Sequence, residues 1–552
     1  MVYYRLSSYY NFILRIFRNP CLFCSFSRNV VCRCGFAVAG SSSVGTDMKD
    51  IYARFKNIYK NSGLTGLLFQ NQGYRQVILK NTFWLGVAQG VTGVVNFFLT
   101  VYVIRVFGAT EYGKFAFAFS FVAIFSTLFD FGLSTAVTRE FAGQREKESH
   151  FSDVMTLKVV LGVGVALLVI AGSFFISSDG LVRGMIVVLG IYMLLLEVIN
   201  LFYALIRARQ RMEVEAAFRF VQVLSLCAAV VAVIFFSPSI LNLSLAYVGA
   251  TLATLVLLLL FFLFKESPGI RLRPSFNASV WKVFLAIGWY LALAKGVGDI
   301  TTYTDSVLLG YWGMNTENGW YNAAVRLNRL ALFPMAMVSS AIFPALVGIL
   351  RESREKFLRY WKFWMKWTVF FAIMFCFGVL AKADEIISFT YTEDFLPAAI
   401  ALKILILMAT LVYINNLYYH VLLIFDHQKR IFYALLCGAI MNVLMNLILI
   451  PRMGINGAAL ATVLTHLAIL FFYLVWTAEY TIVRPFDGES ILTFSVGVAS
   501  GLVMYGGLAL IDEVVDIHLF ASLTAGVVIF TVSHLSLCRV LGWTGLFNIE
   551  KN

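Results

Sequence analysis

Residues 111–118, Glu-Tyr-Gly-Lys-Phe-Ala-Phe-Ala, return as residues 317–324, Glu-Asn-Gly-Trp-Tyr-Asn-Ala-Ala. The shared pattern, Glu111-x-Gly113-x-Phe115-x-x-Ala118 against Glu317-x-Gly319-x-Tyr321-x-x-Ala324, sits at a constant shift of 206, and Ser134 and Ser340 continue it. Each copy follows a long apolar run, the first and the seventh of the chain. Equivalent placement divides the sequence into two halves of like orientation, the signature of a parallel structural repeat.

The runs set the class. Of 552 residues, 60% are hydrophobic and 13% charged, where soluble domains average about 45–50% and about 25%. The apolar stretches are about 20 residues long, the length of helix that crosses a hydrocarbon core. A soluble enzyme is excluded, and the reading is an all-α polytopic membrane protein of about fourteen transmembrane helices. Six expected spans, 83–104, 115–137, 158–176, 185–206, 219–236 and 243–264, form an N-terminal bundle over 83–264. Six more, 283–312, 326–349, 367–381, 397–424, 432–450 and 456–477, form a second over 283–477, beyond a basic linker at 265–282. Two extra helices, 490–511 and 517–537, close the transmembrane part over 490–537, with segments 48–82 and 538–552 as cytoplasmic flanks.

The net charge of +13 raises nucleic acid as a partner, and the placement of the charge answers it. With a cytoplasmic N-terminus, 21 Lys and Arg fall on the inside, from Arg139, Lys158 and Arg207 through Lys282, Lys366 and Arg484. Five, Arg105, Lys114, Arg183, Lys382 and Arg452, fall outside. That asymmetry is the positive-inside rule at work, with both termini cytoplasmic. Residues 1–47 stand apart, with five Arg, one Asp and no Lys or Glu. They read as a targeting peptide, as a metal knuckle on Cys21, Cys24, Cys32 and Cys34, or, the favoured reading, as an extension upstream of a true start at Met48.

Three further segments carry a resemblance: Phe129-Asp-Phe-Gly-Leu-Ser-Thr-Ala-Val-Thr-Arg139, Gly319-Trp-Tyr-Asn-Ala-Ala-Val-Arg326, and Asn442-Val-Leu-Met-Asn446 with Pro451-Arg-Met-Gly454-Ile-Asn-Gly457-Ala-Ala459. Over residues 80 to 480 the chain resembles the polysaccharide transporter family, the oligosaccharide-lipid flippases related to O-antigen exporters. They belong to the superfamily that also holds multidrug and toxin extrusion transporters and lipid II flippases. The resemblance implies a V-shaped pair of bundles, alternating access, and a lipid-linked glycan crossing through a polar central cavity. Polymerase or glycosyltransferase partners are expected, and with the 1–47 extension set aside the expected location is a plasma membrane.

Ionisable side chains are costly at membrane depth and mark pathways or pairs. Arg326 and Arg329 share one helix face and suit a pyrophosphate, whose oxygens match the planar fork of Arg. Lys403 stands alone and is expected on the pathway. Lys295 and Asp299, four apart, are expected to neutralise each other, and Gly296 and Gly298 to bend the long seventh span. Asp130, facing Arg139 or Arg105, Glu197 with Asn200, and Asp305 are coupling or structural charges. Asn442 and Asn446 are expected to stitch helices. Pro334 and Pro344 interrupt the eighth span's hydrogen bonding.

Gly108-x-x-x-x-Gly113-Lys114 imitates a phosphate loop, but Phe115 stands where Ser or Thr must hold magnesium, so nucleotide binding is rejected. The six His never take a metal-binding helical spacing. The first expectation is a flippase of an isoprenoid-pyrophosphate-linked oligosaccharide without metal or other cofactor, coupled to a Na+ or H+ gradient. The second is a cation-coupled exporter of organic cations. A membrane glycosyltransferase needs a large acidic loop that no inter-span segment provides.

Overall fold

The computed structural model describes residues 74–143, 145–265, 273–514 and 518–541. The 1–47 extension with its cysteine pairs, most of 48–82, the middle of the linker and most of 538–552 lie outside them.

The described residues are helical throughout: α1 Tyr74–Ile124, α2 Ser126–Asp130, α3 Leu133–Phe141, α4 Phe151–Ile176, α5 Gly180–Ala208, α6 Met212–Phe236, α7 Ile240–Lys265, α8 Ala278–Tyr311, α9 Asn315–Glu352, α10 Arg354–Thr390, α11 Ala398–Ile424, α12 Gln428–Tyr480, α13 Gly488–Val514 and α14 Leu519–Val540. Eleven are long and apolar enough to cross a membrane. Two of these are merged across a non-helical glycine: α1 holds the first expected span and the start of the second, joined at Gly108 (φ 71°), and α12 holds the eleventh and twelfth, joined at Gly454 (φ 56°). Nothing lies within 4 Å of where a Cβ would stand at either glycine, so the positive φ and not crowding demands the residue. With the more polar α9, the fourteen expected spans are accounted for.

The second span is broken. Phe131 (φ 49°) and Gly132 (φ 71°) separate α2 from α3, and the Asp130 carboxylate accepts the Ser134 backbone N–H that the break leaves without its helical partner. Gly296 and Gly298 make no break in the seventh span, since α8 runs continuously from Ala278 to Tyr311. Gly296 packs on the Thr127 side chain of α2, and a helix interior keeps its hydrogen bonds wherever nothing competes for them. Pro334 and Pro344 sit within a continuous α9. Tyr413 donates to the carbonyl of Ala331, 2.6 Å away, just before the first proline.

The quoted repeat turns out to be a contact with itself. Thr110 and Thr316, equivalent by the 206-residue shift, hydrogen-bond through their hydroxyls at 2.8 Å. A Cβ on Gly113 would stand 1.7 Å from the Asn315 carbonyl oxygen, and one on Gly319 2.0 Å from that of Ala109. Ala109 and Asn315 are themselves related by the same shift, so the two glycines make one reciprocal contact about a pseudo-twofold axis. Here α1 and α9 cross backbone to backbone, which only glycine permits. This is the turn face, carrying Gly108, Gly313 and Gly454; the opposite face carries the linker.

Core packing follows the axis. Towards the turn face a single buried cluster draws on both halves, with Leu99, Tyr112 and Phe117 beside Leu309, Tyr321 and Leu402. Towards the linker face there are two: Leu133, Phe151, Phe202 and Leu258 with Phe284 of α8, and Trp361, Trp364, Tyr418 and Tyr473 with Phe530 of α14. Halves joined at one face and separately packed at the other make the V. The base of α8 stays with the first half, where Trp281 donates to the Asp153 carbonyl at 2.9 Å. Helices α13 and α14 flank α10, held by Lys362 to Asp487 (2.8 Å), Lys366 to Glu489 (2.7 Å), and Lys382 to Asp512. Lys158, Lys366 and Lys382, counted among loop charges by sequence, are buried within helices, because each has a carboxylate partner there.

Candidate functional site

A cavity of about 340 Å³ lies between the halves on the pseudo-twofold axis. Its walls come from α1, α5, α6 and α7 on one side and α8 and α9 on the other. Thr92, Asn96 and Thr100, four apart on α1, face Thr302 and Ser306 of α8 and Asn322, Arg326 and Arg329 of α9. The four-residue spacing keeps each set on one helix face.

Arg326 and Arg329 therefore line the cavity wall. Arg326 donates to the Thr100 hydroxyl at 2.9 Å, across the junction of the halves. Neither guanidinium has an ion-pair partner among the described residues. The third arginine on the wall, Arg219, is spoken for by Glu215 at 2.8 Å and stacks on Tyr203. No carboxylate lines the cavity, so its walls carry an uncompensated positive charge.

The acidic groups are engaged elsewhere. Asp130 binds Lys158 at 2.6 Å, not Arg139 or Arg105. The break after Asp130 turns its carboxylate towards α4, where Lys158 also meets Glu197 at 3.1 Å and Ser134 at 2.8 Å. Asn200 donates to Glu197 at 3.2 Å, within the same helix. Asp299 accepts from Ser126 at 2.8 Å and from Thr127, and the exposed Lys295 makes no ion pair with it among the described residues. Residues four apart share a face, but the α2 hydroxyls reach Asp299 first. Lys403 is not on the cavity: it pairs with Asp384, half-exposed, near the turn-face start of α11.

Asp305, fully buried, ties three helices. It accepts from Tyr321 of α9, Thr462 of α12 at 2.8 Å, and Asn446 and Asn442 of α12. The two asparagines thus do join helices, through a carboxylate that sequence spacing did not connect to them. Their own side-chain oxygens are buried without partners.

Sequence reasoning missed Lys158, because a lysine near a span edge reads as a loop charge. It also missed the cavity's tyrosines, 112, 192, 247, 303 and 321, which on apolar helices look like core. The Thr92, Asn96, Thr100 stripe was a readable signal: three polar side chains at helical spacing in an apolar run.

Residues 78–350 match the family model described as polysaccharide biosynthesis protein. Among curated proteins, the chain is 22% identical over 498 residues to an uncharacterised membrane protein of Methanocaldococcus jannaschii, covering 83% of this chain and 94% of that one. It is also 22% identical over 438 residues, 77% of this chain and 89% of the other, to a protein of Haloferax volcanii described as a probable low-salt glycan biosynthesis flippase, Agl15. Among solved structures it superposes on a lipid II flippase, MurJ, in an inward closed conformation, with TM-score 0.69 and 15% identity over 83% of this chain and 99% of that one. An inward-facing multidrug MATE family transporter follows at TM-score 0.58 and 11% identity, over 72% and 98%. The fold is thus the multi-pass transporter fold that these structures share, and residues 78–350, just under half of the chain, carry the pattern of the polysaccharide biosynthesis protein family.

Proposed function

We propose that this protein flips an isoprenoid-pyrophosphate-linked oligosaccharide from the cytoplasmic to the outer leaflet of the plasma membrane, for cell-surface polysaccharide synthesis, with both termini cytoplasmic. The observation that carries the reading is the pair Arg326 and Arg329: two guanidiniums without carboxylate partners among the described residues, on the wall of a cavity between the two halves. A diphosphate supplies the negative charge such a pair lacks, and binds it through charge-assisted, bidentate hydrogen bonds. An exporter of organic cations would need acidic groups on that wall, and it has none. The named relatives support the glycan reading over the drug reading.

The coupling ion is assigned to Asp305. Its carboxylate is buried without a cationic partner among the described residues, beside the unpartnered oxygens of Asn442 and Asn446. A small monovalent cation or a proton would complete that oxygen set.

The test is flipping in cells carrying Arg326→Gln with Arg329→Gln, read by a membrane-impermeant sugar-modifying reagent, with insertion checked separately. Glycan trapped on the cytoplasmic side is the expected outcome. Lys403→Ala, remote from the cavity, serves as the control and should flip normally. Undiminished flipping in the double variant would sink the proposal.

A further inference from the structure

The 206-residue shift pairs the cavity's walls position by position: Phe115 with Tyr321, Ala116 with Asn322, Phe119 with Val325, Ser120 with Arg326. Both unpaired charges therefore belong to the second half. The first half presents rings instead. Phe115 and Phe119 (centroids 6.1 Å apart), Phe119 and Tyr192 (6.5 Å), Tyr192 and Tyr247 (5.5 Å), and Tyr247 and Phe115 (5.5 Å) close a circuit of four aromatic side chains on that wall.

Around the circuit stand polar groups that the fold leaves unused. The hydroxyls of Tyr192 and Tyr247 and the side-chain amides of Asn96 and Gln222 line the cavity, half-buried, and none has a hydrogen-bond partner among the described residues. Half-buried polar groups held this way need a ligand or water to satisfy them. An aromatic surface edged with free hydroxyls and amides matches a pyranose, which has an apolar C–H face and a rim of hydroxyls.

We propose that the first-half wall is a saccharide subsite. The first sugar of the cargo lies on the Phe115, Phe119, Tyr192 and Tyr247 circuit, while its diphosphate crosses the axis to Arg326 and Arg329. The proposal rests on the diphosphate reading of those arginines and extends it to the sugar. Charge defines the sugar's class. A diphosphate diester carries two negative charges, the two arginines cancel them, and Arg219 is already paired with Glu215. The subsite therefore takes an uncharged sugar. Because different halves hold the two ends of the headgroup, rocking one half against the other weakens the grip on one end, which is how a released cargo is obtained without a second binding site.

The experiment measures binding to the purified full-length protein of two diester probes of equal charge, a short isoprenyl diphosphate capped by a methyl group, called the bare probe, and the same diphosphate bearing one uncharged hexose. The wild type should bind the hexose-bearing probe about tenfold or more tightly than the bare one. That ratio should fall about three- to tenfold in Tyr192→Phe with Tyr247→Phe, which keeps both rings and loses only the hydroxyls, and should vanish in Phe119→Leu. Arg326→Gln should weaken both probes together and leave the ratio standing. A wild-type ratio near one, or a ratio that survives all the ring and hydroxyl variants, overturns the saccharide subsite while leaving the arginine reading intact. Failure of the wild type to bind the bare probe overturns the arginine reading, and this proposal with it.

Discussion

Replacing Gly319 by alanine perturbs the turn-face contact at which the halves touch backbone to backbone. The new methyl would stand 2.0 Å from the Ala109 carbonyl oxygen, 2.7 Å from its carbonyl carbon and 3.0 Å from its Cα, against an ordinary contact of 3.4 Å or more. All three neighbours are backbone, so no rotamer change relieves the overlap, and α1 and α9 must part by roughly 1.4 Å, the difference between 3.4 and 2.0 Å. Overpacking of this kind costs about 1–3 kcal/mol where side chains can adjust, and the upper end applies because they cannot. About 3 kcal/mol shifts the equilibrium between joined and parted turn faces by roughly a hundredfold. The assay is oxidative crosslinking of Thr110→Cys to Thr316→Cys, whose native hydroxyls are 2.8 Å apart, in a background without the native cysteines. The crosslink should form readily with Gly319 present and become slow and incomplete with Gly319→Ala, and Gly113→Ala, with its 1.7 Å overlap on Asn315, should behave the same way. Equal crosslinking with and without the methyl would refute the pseudo-twofold contact as the closure of the turn face.

Lys158→Ala strands the buried Asp130 and Glu197 carboxylates and should cost about 3–5 kcal/mol, seen as a fall in melting temperature; combining Lys158→Met with Asp130→Asn and Glu197→Gln should restore most of it. Wild-type protein should gain thermal stability on addition of sodium or, if protons couple, on mild acidification, and Asp305→Asn should lose that response; an identical response in the variant would remove Asp305 from the coupling site. Asp487, in the loop between α12 and α13, is pushed up by partial burial, but hydrogen bonds from Lys362 and Ser490 outweigh that and hold its carboxyl below the usual range. Since its folded pKa is depressed, the Asp487 contribution to docking α13 is complete above the unfolded value of about 3.9 and is lost as pH falls through the lower folded value. Asp487→Asn should therefore flatten that acid limb of a melting-temperature profile while leaving the neutral plateau slightly lowered.

How much of this was legible in the sequence depends on the range of the interaction involved. Apolar length and the loop charges foretold fourteen spans, because crossing a hydrocarbon core is a local property of about 20 consecutive residues. The repeat around Gly113 and Gly319 announced two halves in parallel orientation. Arg326 and Arg329 stood out as charges at membrane depth, and they do line the cavity. Partnership was another matter. Lys295 and Asp299 are a plausible pair along one helix, yet Ser126 and Thr127 of a distant span claim the carboxylate. Lys403 seemed isolated until Asp384 of the preceding helix came alongside. Asp305 gathers Tyr321, Asn446 and Thr462 from up to 157 positions away. The break in the second span had its cue in Phe131-Gly132, but a glycine permits a left-handed turn without requiring one, and equally placed glycines in α8 stay helical.

Sequence alone thus determined the class, the number of crossings and the internal repeat, since each follows from composition or spacing read along one chain. The tertiary structure decided that the repeat's two glycines meet each other, which carboxylate each buried cation takes, and that both free guanidiniums lie on one wall of a shared cavity while rings cover the other. Those outcomes depend on which helix faces which across the bundle, and the energy of a buried charge or a backbone contact is fixed by the neighbour that arrives, not by the residues beside it in the chain.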